Sequence, residues 1–114
     1  MSGIVNEIDS RSHIISGKDG TIRAHCSWNQ YSFAEEYKFN VASITDDTTG
    51  RVTVTFTHNM PTTDYCVVGN CGDGNAGLGA MGMVTKLVGS VTLTMVYQNG
   101  TEKDFPDNSM AVIV

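Results

Sequence analysis

The residues whose types and spacing could support chemistry lie mostly in loops. Residues 72–77, Gly-Asp-Gly-Asn-Ala-Gly, match the G-x-G-x-x-G pattern and follow a predicted strand, as in dinucleotide-binding sites. Such a site also needs a helix whose N-terminus holds the pyrophosphate, and the following Gly79 and Gly82 argue against a helix there. The sequence therefore predicts no cofactor. It predicts an exposed loop, which either displays Asp73 and Asn75 to a ligand or only connects two strands.

Candidate metal ligands and catalytic groups are too few or wrongly placed. Asp46 and Asp47 offer oxygen atoms, but Ca²⁺ takes six to eight ligands, so a turn is the better interpretation unless several chains complete a site. His25 and Cys26 are neighbours on a predicted strand, and their side chains leave opposite faces of it. No pair of carboxylates is placed across a groove, as glycoside hydrolysis requires. We predict no metal site and no enzymatic activity.

One concentration of aromatic residues includes Trp28 and Tyr37. Flat rings can stack on the C–H faces of sugars, which would bind a carbohydrate without strong charge. Packing within a core or between subunits is the alternative, and it is favoured for Trp28, while the two interpretations are balanced for Tyr31 and Phe33. The candidate ligand-binding residues are therefore Tyr31, Phe33, Asp73 and Asn75.

The composition indicates one folded domain with few charges. The chain has 114 residues, of which 40% are hydrophobic and 17% charged, and its formal net charge is −5. Nucleic acid and anionic membrane surfaces are disfavoured as partners, because both need clustered Lys and Arg. No apolar run approaches the roughly 20 residues that span a bilayer, so we predict no membrane insertion.

The three cysteines, Cys26, Cys66 and Cys71, have neither the spacing of a zinc site nor the density of a disulfide-rich protein. We interpret them as free and mostly buried thiols, with a single disulfide as the alternative.

Alternation of apolar and polar residues predicts the elements that must position these loops. Val52, Val54 and Phe56 point one way while the intervening Arg and Thr residues point the other, which is the period of a half-covered strand. The same reasoning predicts seven strands at 21–28, 37–44, 51–58, 64–69, 81–88, 90–98 and 109–114. With no amphipathic helix, the expected fold is all-β, a compact antiparallel β-sandwich over residues 21–114. Residues 1–20 are expected to form an N-terminal arm or stalk remnant.

The segment Phe39–Tyr65 resembles part of the C-terminal domains of bacteriophage tail fibres and related trimeric adhesins. The shared features, in order, are FNV-SIT-D, a TG turn, a T-V-F strand, and MP followed by a tyrosine. The likeness extends from about Thr21 to the end of the chain. Family members often read R-A-W-V-N-F at the first strand, where this chain reads RAHCSW, so the aromatic residue has moved.

This resemblance implies a homotrimeric, non-enzymatic receptor-binding tip that contacts a cell-surface glycan or protein. It also implies a location on a virion tail fibre or at the cell surface. The alternative is a structural cap that trimerises a longer fibre and binds no ligand. Met81, Met83, Met95 and Met110 exceed what one small core needs and hint at packing between chains, although core filling explains each of them singly.

Overall fold

The computed structural model describes residues 21–73 and 79–114, and every regular element in those ranges is a β-strand. Eight strands form two four-stranded sheets in which all neighbours are antiparallel. The prediction of an all-β antiparallel sandwich is confirmed. The strands are β1 Ile22–Asn29, β2 Ala34–Phe39, β3 Val41–Thr48, β4 Arg51–Phe56, β5 Cys66–Gly72, β6 Gly79–Lys86, β7 Ser90–Tyr97 and β8 Asp107–Ile113.

The two sheets are built from different parts of the chain. Sheet A has the order β2-β1-β8-β5, and sheet B has the order β3-β4-β7-β6. The core lies between them and contains the alternating residues predicted for β4, since Val52, Val54 and Phe56 are all buried. Trp28 is fully buried with them, at 0% exposure. Each such side chain contributes about 1.5–3 kcal/mol through removal of apolar surface from water.

Most of the four methionines that hinted at packing between chains belong to this core. Met95 and Met110 are buried, and Met81 packs against the core from the edge strand β6. Only Met83, at 44% exposure, remains available for a contact outside the domain. Core filling therefore explains three of the four methionines, and they carry little information about assembly.

The additional strand is β2, whose residues 34–36 lie in the loop predicted over 29–36 and whose residues 37–39 lie in the strand predicted over 37–44. All six residues of β2 are exposed, because it is an edge strand that covers no core, so its sequence shows no apolar alternation. β2 ends at Phe39, and the next residue, Asn40, has a φ of 54° and lies where the chain passes from sheet A to sheet B. The single strand predicted over 37–44 is thus two strands joined by a left-handed corner.

Two further expectations need correction. The glycine-rich loop was predicted to begin at Asn70, but β5 continues to Gly72, paired with β8. Alternation over the strand predicted at 21–28 places Ile22 on the same face as the buried Ala24 and Cys26, yet Ile22 is 53% exposed, because the register of β1 against β8 shifts between Ile22 and Ala24. Asn75 and the predicted arm over residues 1–20 lie outside the described residues.

The sandwich has two distinct ends. At the end that we call proximal, Thr21 and Val114 exchange two backbone hydrogen bonds of 3.1 Å. The opposite, distal end comprises the turns at 30–33 and 48–51, the segment 98–106, and residues 73 and 79. The pair Asn99-Gly100, a sequence typical of hairpin turns, lies here, and its Gly100 amide donates to the Tyr97 carbonyl at 2.8 Å.

The three cysteines are free, but their exposure is not uniform. Cys26 is buried and Cys71 is partly buried, whereas Cys66 is exposed, so the expectation of mostly buried thiols is wrong for Cys66. Burial raises the pKa of the Cys26 thiol to about 12, because the charged thiolate is disfavoured away from water.

Thiol-specific alkylation should distinguish these cysteines. The thiolate is the reactive form, so we expect Cys66 to be modified in the native protein at neutral pH while Cys26 is protected. Unfolding in urea should remove the difference. Mass spectrometry of peptides after timed alkylation measures both rates, and rapid native modification of Cys26 would contradict the burial described here.

Candidate functional site

The candidate ligand-binding residues that the structure describes lie together at the distal end. Tyr31 and Phe33 are in the turn between β1 and β2, and Asp73 directly follows β5. The ends of β1 and β5 are separated by β8 alone, so the backbones of these two strands are about 10 Å apart across the sheet. A single ligand the size of an oligosaccharide could span that distance.

The turn at 30–33 displays one ring and buries much of the other. Tyr31 is 62% exposed, and its backbone amide donates to Oδ1 of Asn29 at 2.9 Å, which fixes the turn. Phe33 adopts a φ of 52° and packs against the core. Tyr31 can therefore stack on a ligand, whereas Phe33 mainly holds the turn in place. Trp28, for which packing was favoured, is indeed a core residue.

Hydrogen bonds to two backbone carbonyls connect this turn to the neighbouring strands. The Gln30 amide donates to the Phe105 carbonyl at 3.1 Å, and the buried Asn108 side chain donates to the same carbonyl at 2.7 Å. Asn108 also donates to the Trp28 carbonyl at 3.2 Å. These bonds join β1, β8 and the segment 98–106 beneath the turn at 30–33.

Lys103 is the residue of this end that the sequence did not single out. Its Nζ atom lies 4.6 Å from the ring centre of Tyr97 and 5.3 Å from that of Phe105, within cation–π distance. The same atom is 3.7 Å from Oδ2 of Asp73. The Lys103 ammonium therefore lies beside the Asp73 carboxylate and the rings of Tyr97 and Phe105. Its segment of the chain has no periodic pattern from which this position could have been predicted.

A second ion pair ties the neighbouring turn to the same segment. Arg51 Nε donates to Glu102 Oε2 at 2.6 Å, and Thr94 Oγ1 donates to that oxygen at 2.7 Å. The Arg51 guanidinium and the Thr94 hydroxyl lower the pKa of the exposed Glu102 carboxyl. The Gly50 amide donates to Asp104 Oδ1 at 2.7 Å. All described loops of the distal end are therefore cross-linked through residues 102–105.

The outer faces of the two sheets differ in chemistry. On sheet B, β4 and β7 turn Thr53, Thr55, Thr92 and Thr94 outward, which suits contact with water. On sheet A, one register row across all four strands reads Phe39, His25, Ala111 and Val68. Beside it, a groove of about 320 Å³ is lined by His25, Val68, Gly69, Asn70, Ser109, Met110 and Ala111.

The proximal end holds a second, larger cleft of about 380 Å³. Asn40 organises it, because its side chain donates to the carbonyls of Arg23 at 2.8 Å and His58 at 3.2 Å and accepts from the His58 amide at 2.8 Å. The lining also includes the half-exposed ring of Phe39. These bonds hold the corner between β2 and β3, so the cleft has a clear structural origin.

Residues 21–73 and 79–114 contain no group of three or more His, Cys, Asp or Glu side chains that could hold a metal ion. Asp46 and Asp47 instead accept hydrogen bonds from Gln30 Nε2 at 3.4 Å and from Thr53 Oγ1 at 2.5 Å, respectively. A helix long and apolar enough to cross a bilayer is likewise not found in those ranges.

Fold and site together define an antiparallel β-sandwich whose cross-linked loops form one end, opposite the end at which the chain enters from residue 20. Comparison with known proteins found no matching family model, curated protein or solved structure.

Proposed function

We propose that this protein is the receptor-binding tip of a trimeric adhesin of the phage tail-fibre type, and that its distal end binds a cell-surface glycan or protein. It would act on a virion tail fibre or at the cell surface, without catalysis. The placement of the chain carries the proposal: Thr21 and Val114 pair at the proximal end, so the distal loops face away from any stalk that precedes residue 21.

The chemistry of the distal end suits a saccharide with few charges. Tyr31 offers an exposed ring for stacking on a pyranose. The Asp73 carboxylate accepts hydrogen bonds and the Lys103 ammonium donates them, and their charged atoms lie 3.7 Å apart, so hydroxyls of one sugar ring could contact both. Because these two charges cancel, the pair does not select for a charged ligand.

Assembly would compensate for a small contact area. One ring and one ion pair form a weak site, but linked copies that bind the same surface gain avidity of about 10²–10⁴ over a single site. The cross-links between the distal loops would help to preserve the arrangement of each site, which this gain requires.

A structural cap that only trimerises a longer fibre is the second candidate. The outer face of sheet A, whose two central rows contain no Asp, Glu, Lys or Arg, favours it, because that face suits assembly with or without a receptor. A printed glycan array and intact cells separate the two functions: an adhesin gives a reproducible signal on a defined subset of glycans or cells, and a cap gives none on either.

Substitutions at the distal end should reduce binding selectively. We expect Tyr31→Ala and Asp73→Ala each to weaken binding to the glycan or cell identified by that screen by about tenfold, which corresponds to 1.4 kcal/mol. His58→Ala removes an exposed ring at the proximal end and serves as the matched control, with unchanged binding. Equal affinity of all three variants and the wild type would exclude the distal end as the contact surface.

A further inference from the structure

We propose that the outer face of sheet A joins copies of this chain through a knob and a groove. The knob is formed by Tyr37 and Phe39 of β2. The groove lies over β8, between His25 on one side and Val68 on the other. The inference deepens the proposed function and rests on it only for the number of copies, three.

The sequences of the strands distinguish the face that is covered from the face that is solvated. In β4 and β7, apolar residues alternate with Thr or Ser, as expected when one side faces water. In β5 and β8, Cys66-Val67-Val68 and Met110-Ala111-Val112-Ile113 are apolar on both sides. Val67, Met110 and Val112 pack toward the core, so the apolar residues on the other side need a different cover.

The knob is a pair of exposed aromatic rings at one edge of sheet A. Tyr37 is 53% and Phe39 48% exposed, and both belong to an edge strand in which every residue is exposed. The Tyr37 ring packs against the His25 ring, with centroids 5.1 Å apart. This contact holds Tyr37 upright on the outer face, where it projects toward a neighbour.

The groove is formed by small residues between larger ones. Ala111 and Ser109 of β8 form its floor, with His25 of β1 and Val68 of β5 as walls. The Ser109 hydroxyl donates to Asn70 Oδ1 at 2.9 Å, which satisfies two polar atoms that an apolar occupant would otherwise strand. Its volume of about 320 Å³ admits an aromatic side chain.

A second copy is the occupant that this chemistry fits. The two central register rows of the face, Phe39-His25-Ala111-Val68 and Tyr37-Ser27-Ser109-Asn70, contain no Asp, Glu, Lys or Arg. In a protein with net charge −5, such a region is where two identical chains approach without mutual repulsion. The missing charges also leave nothing to select a charged partner of another kind.

The proposed function sets the number of copies at three. Knob and groove lie on opposite halves of the face, so each copy can give its knob to one neighbour and receive the knob of another, which is the heterologous contact of a closed ring. Four strands of seven residues cover about 19 by 23 Å, which is below the roughly 800 Å² per partner of a standard interface. In a ring each copy makes two such contacts, so both halves of the face are covered.

Analytical ultracentrifugation of the full chain without ligand tests this inference. We expect the wild type at tens of micromolar to sediment with three times the 12.3 kDa protomer mass. Ala111→Glu, which places a charge on the groove floor, and the double variant Tyr37→Ser with Phe39→Ser should both sediment as protomers. Thr55→Glu, on the outer face of sheet B, is the matched control and should retain the wild-type mass.

A wild type that is monomeric would overturn the inference, and a dimer would overturn the closed ring, because the same knob and groove can also pair reciprocally about a two-fold axis. Dissociation of Thr55→Glu to the same extent as Ala111→Glu would also overturn it. Circular dichroism of each variant establishes that the sheets remain folded. The measurement contains no receptor, so its failure leaves receptor binding open to the array test, and failure on the array leaves assembly standing.

Discussion

Replacement of Gly50 by alanine should destabilise the fold by about 3–4 kcal/mol, a large share of the stability of a small domain. Gly50 has a φ of 74°, and an added Cβ would lie 2.6 Å from the Lys103 nitrogen and 2.8 Å from the Met95 carbonyl oxygen. Both obstacles are backbone atoms, which cannot move aside as a flexible side chain would. Relief would break the hydrogen bond from the Met95 amide to the Gly50 carbonyl, now 2.7 Å.

Gly100→Ala provides the matched control for that experiment. Gly100 has a similar φ of 85°, but no atom lies within 4 Å of the position of its added Cβ. Only the left-handed backbone is then penalised, at about 1–2 kcal/mol. Urea unfolding of both variants gives the two free energies, and equal losses would show that the 48–51 turn does not contact residues 102–105 as described.

Loss of assembly should have the largest effect on function. Ala111→Glu leaves Tyr31, Asp73 and Lys103 intact, yet it should weaken binding to a glycan-coated surface by about 100-fold or more, because avidity disappears. Binding of a soluble monovalent glycan should be unchanged. Surface plasmon resonance in the two formats measures both affinities.

A control variant is measured with the coated surface and with the soluble glycan. Thr55→Glu adds an identical charge to the outer face of sheet B and should behave as the wild type on the coated surface. If Ala111→Glu retains wild-type avidity, or loses affinity for the soluble glycan to the same degree, then assembly is not the source of binding strength.

The strands that cover the core could be predicted from sequence, because apolar and polar residues alternate along a strand that is buried on one side only. Val52, Val54 and Phe56 in β4 and Val91, Leu93 and Met95 in β7 are examples, and all six are buried. β2 could not be predicted in this way. It is held by backbone pairing to β1 and by its edge position, neither of which selects apolar residues at alternate positions.

Left-handed positions at Phe33 and Asn40 were also beyond a sequence-based prediction. Asn accepts this conformation more readily than most residues, but Phe rarely does, and its ring is retained there by packing on the core. These two residues set the turn between β1 and β2 and the corner between β2 and β3. The extent of β2 follows from them.

For the candidate site, the sequence identified loop residues but not what holds them together. Tyr31 and Asp73 were predicted from residue type and loop position, and their common end of the sandwich follows from the order of strands in sheet A. Lys103 meets Asp73 through a contact between residues thirty positions apart, and no local pattern records such a contact. Asn75 remains a prediction.

Immobilisation of the protein by one end or by the other tests most directly whether the distal end contacts the receptor. In a Cys66→Ser background, biotin is attached either after Val114 at the proximal end or through Thr49→Cys in the distal 48–51 turn, and each form is immobilised on streptavidin. We expect the proximally held protein to capture the cells or glycans found by the array screen and the distally held protein not to capture them. Equal capture by both forms, or no capture by the proximally held form, would contradict it.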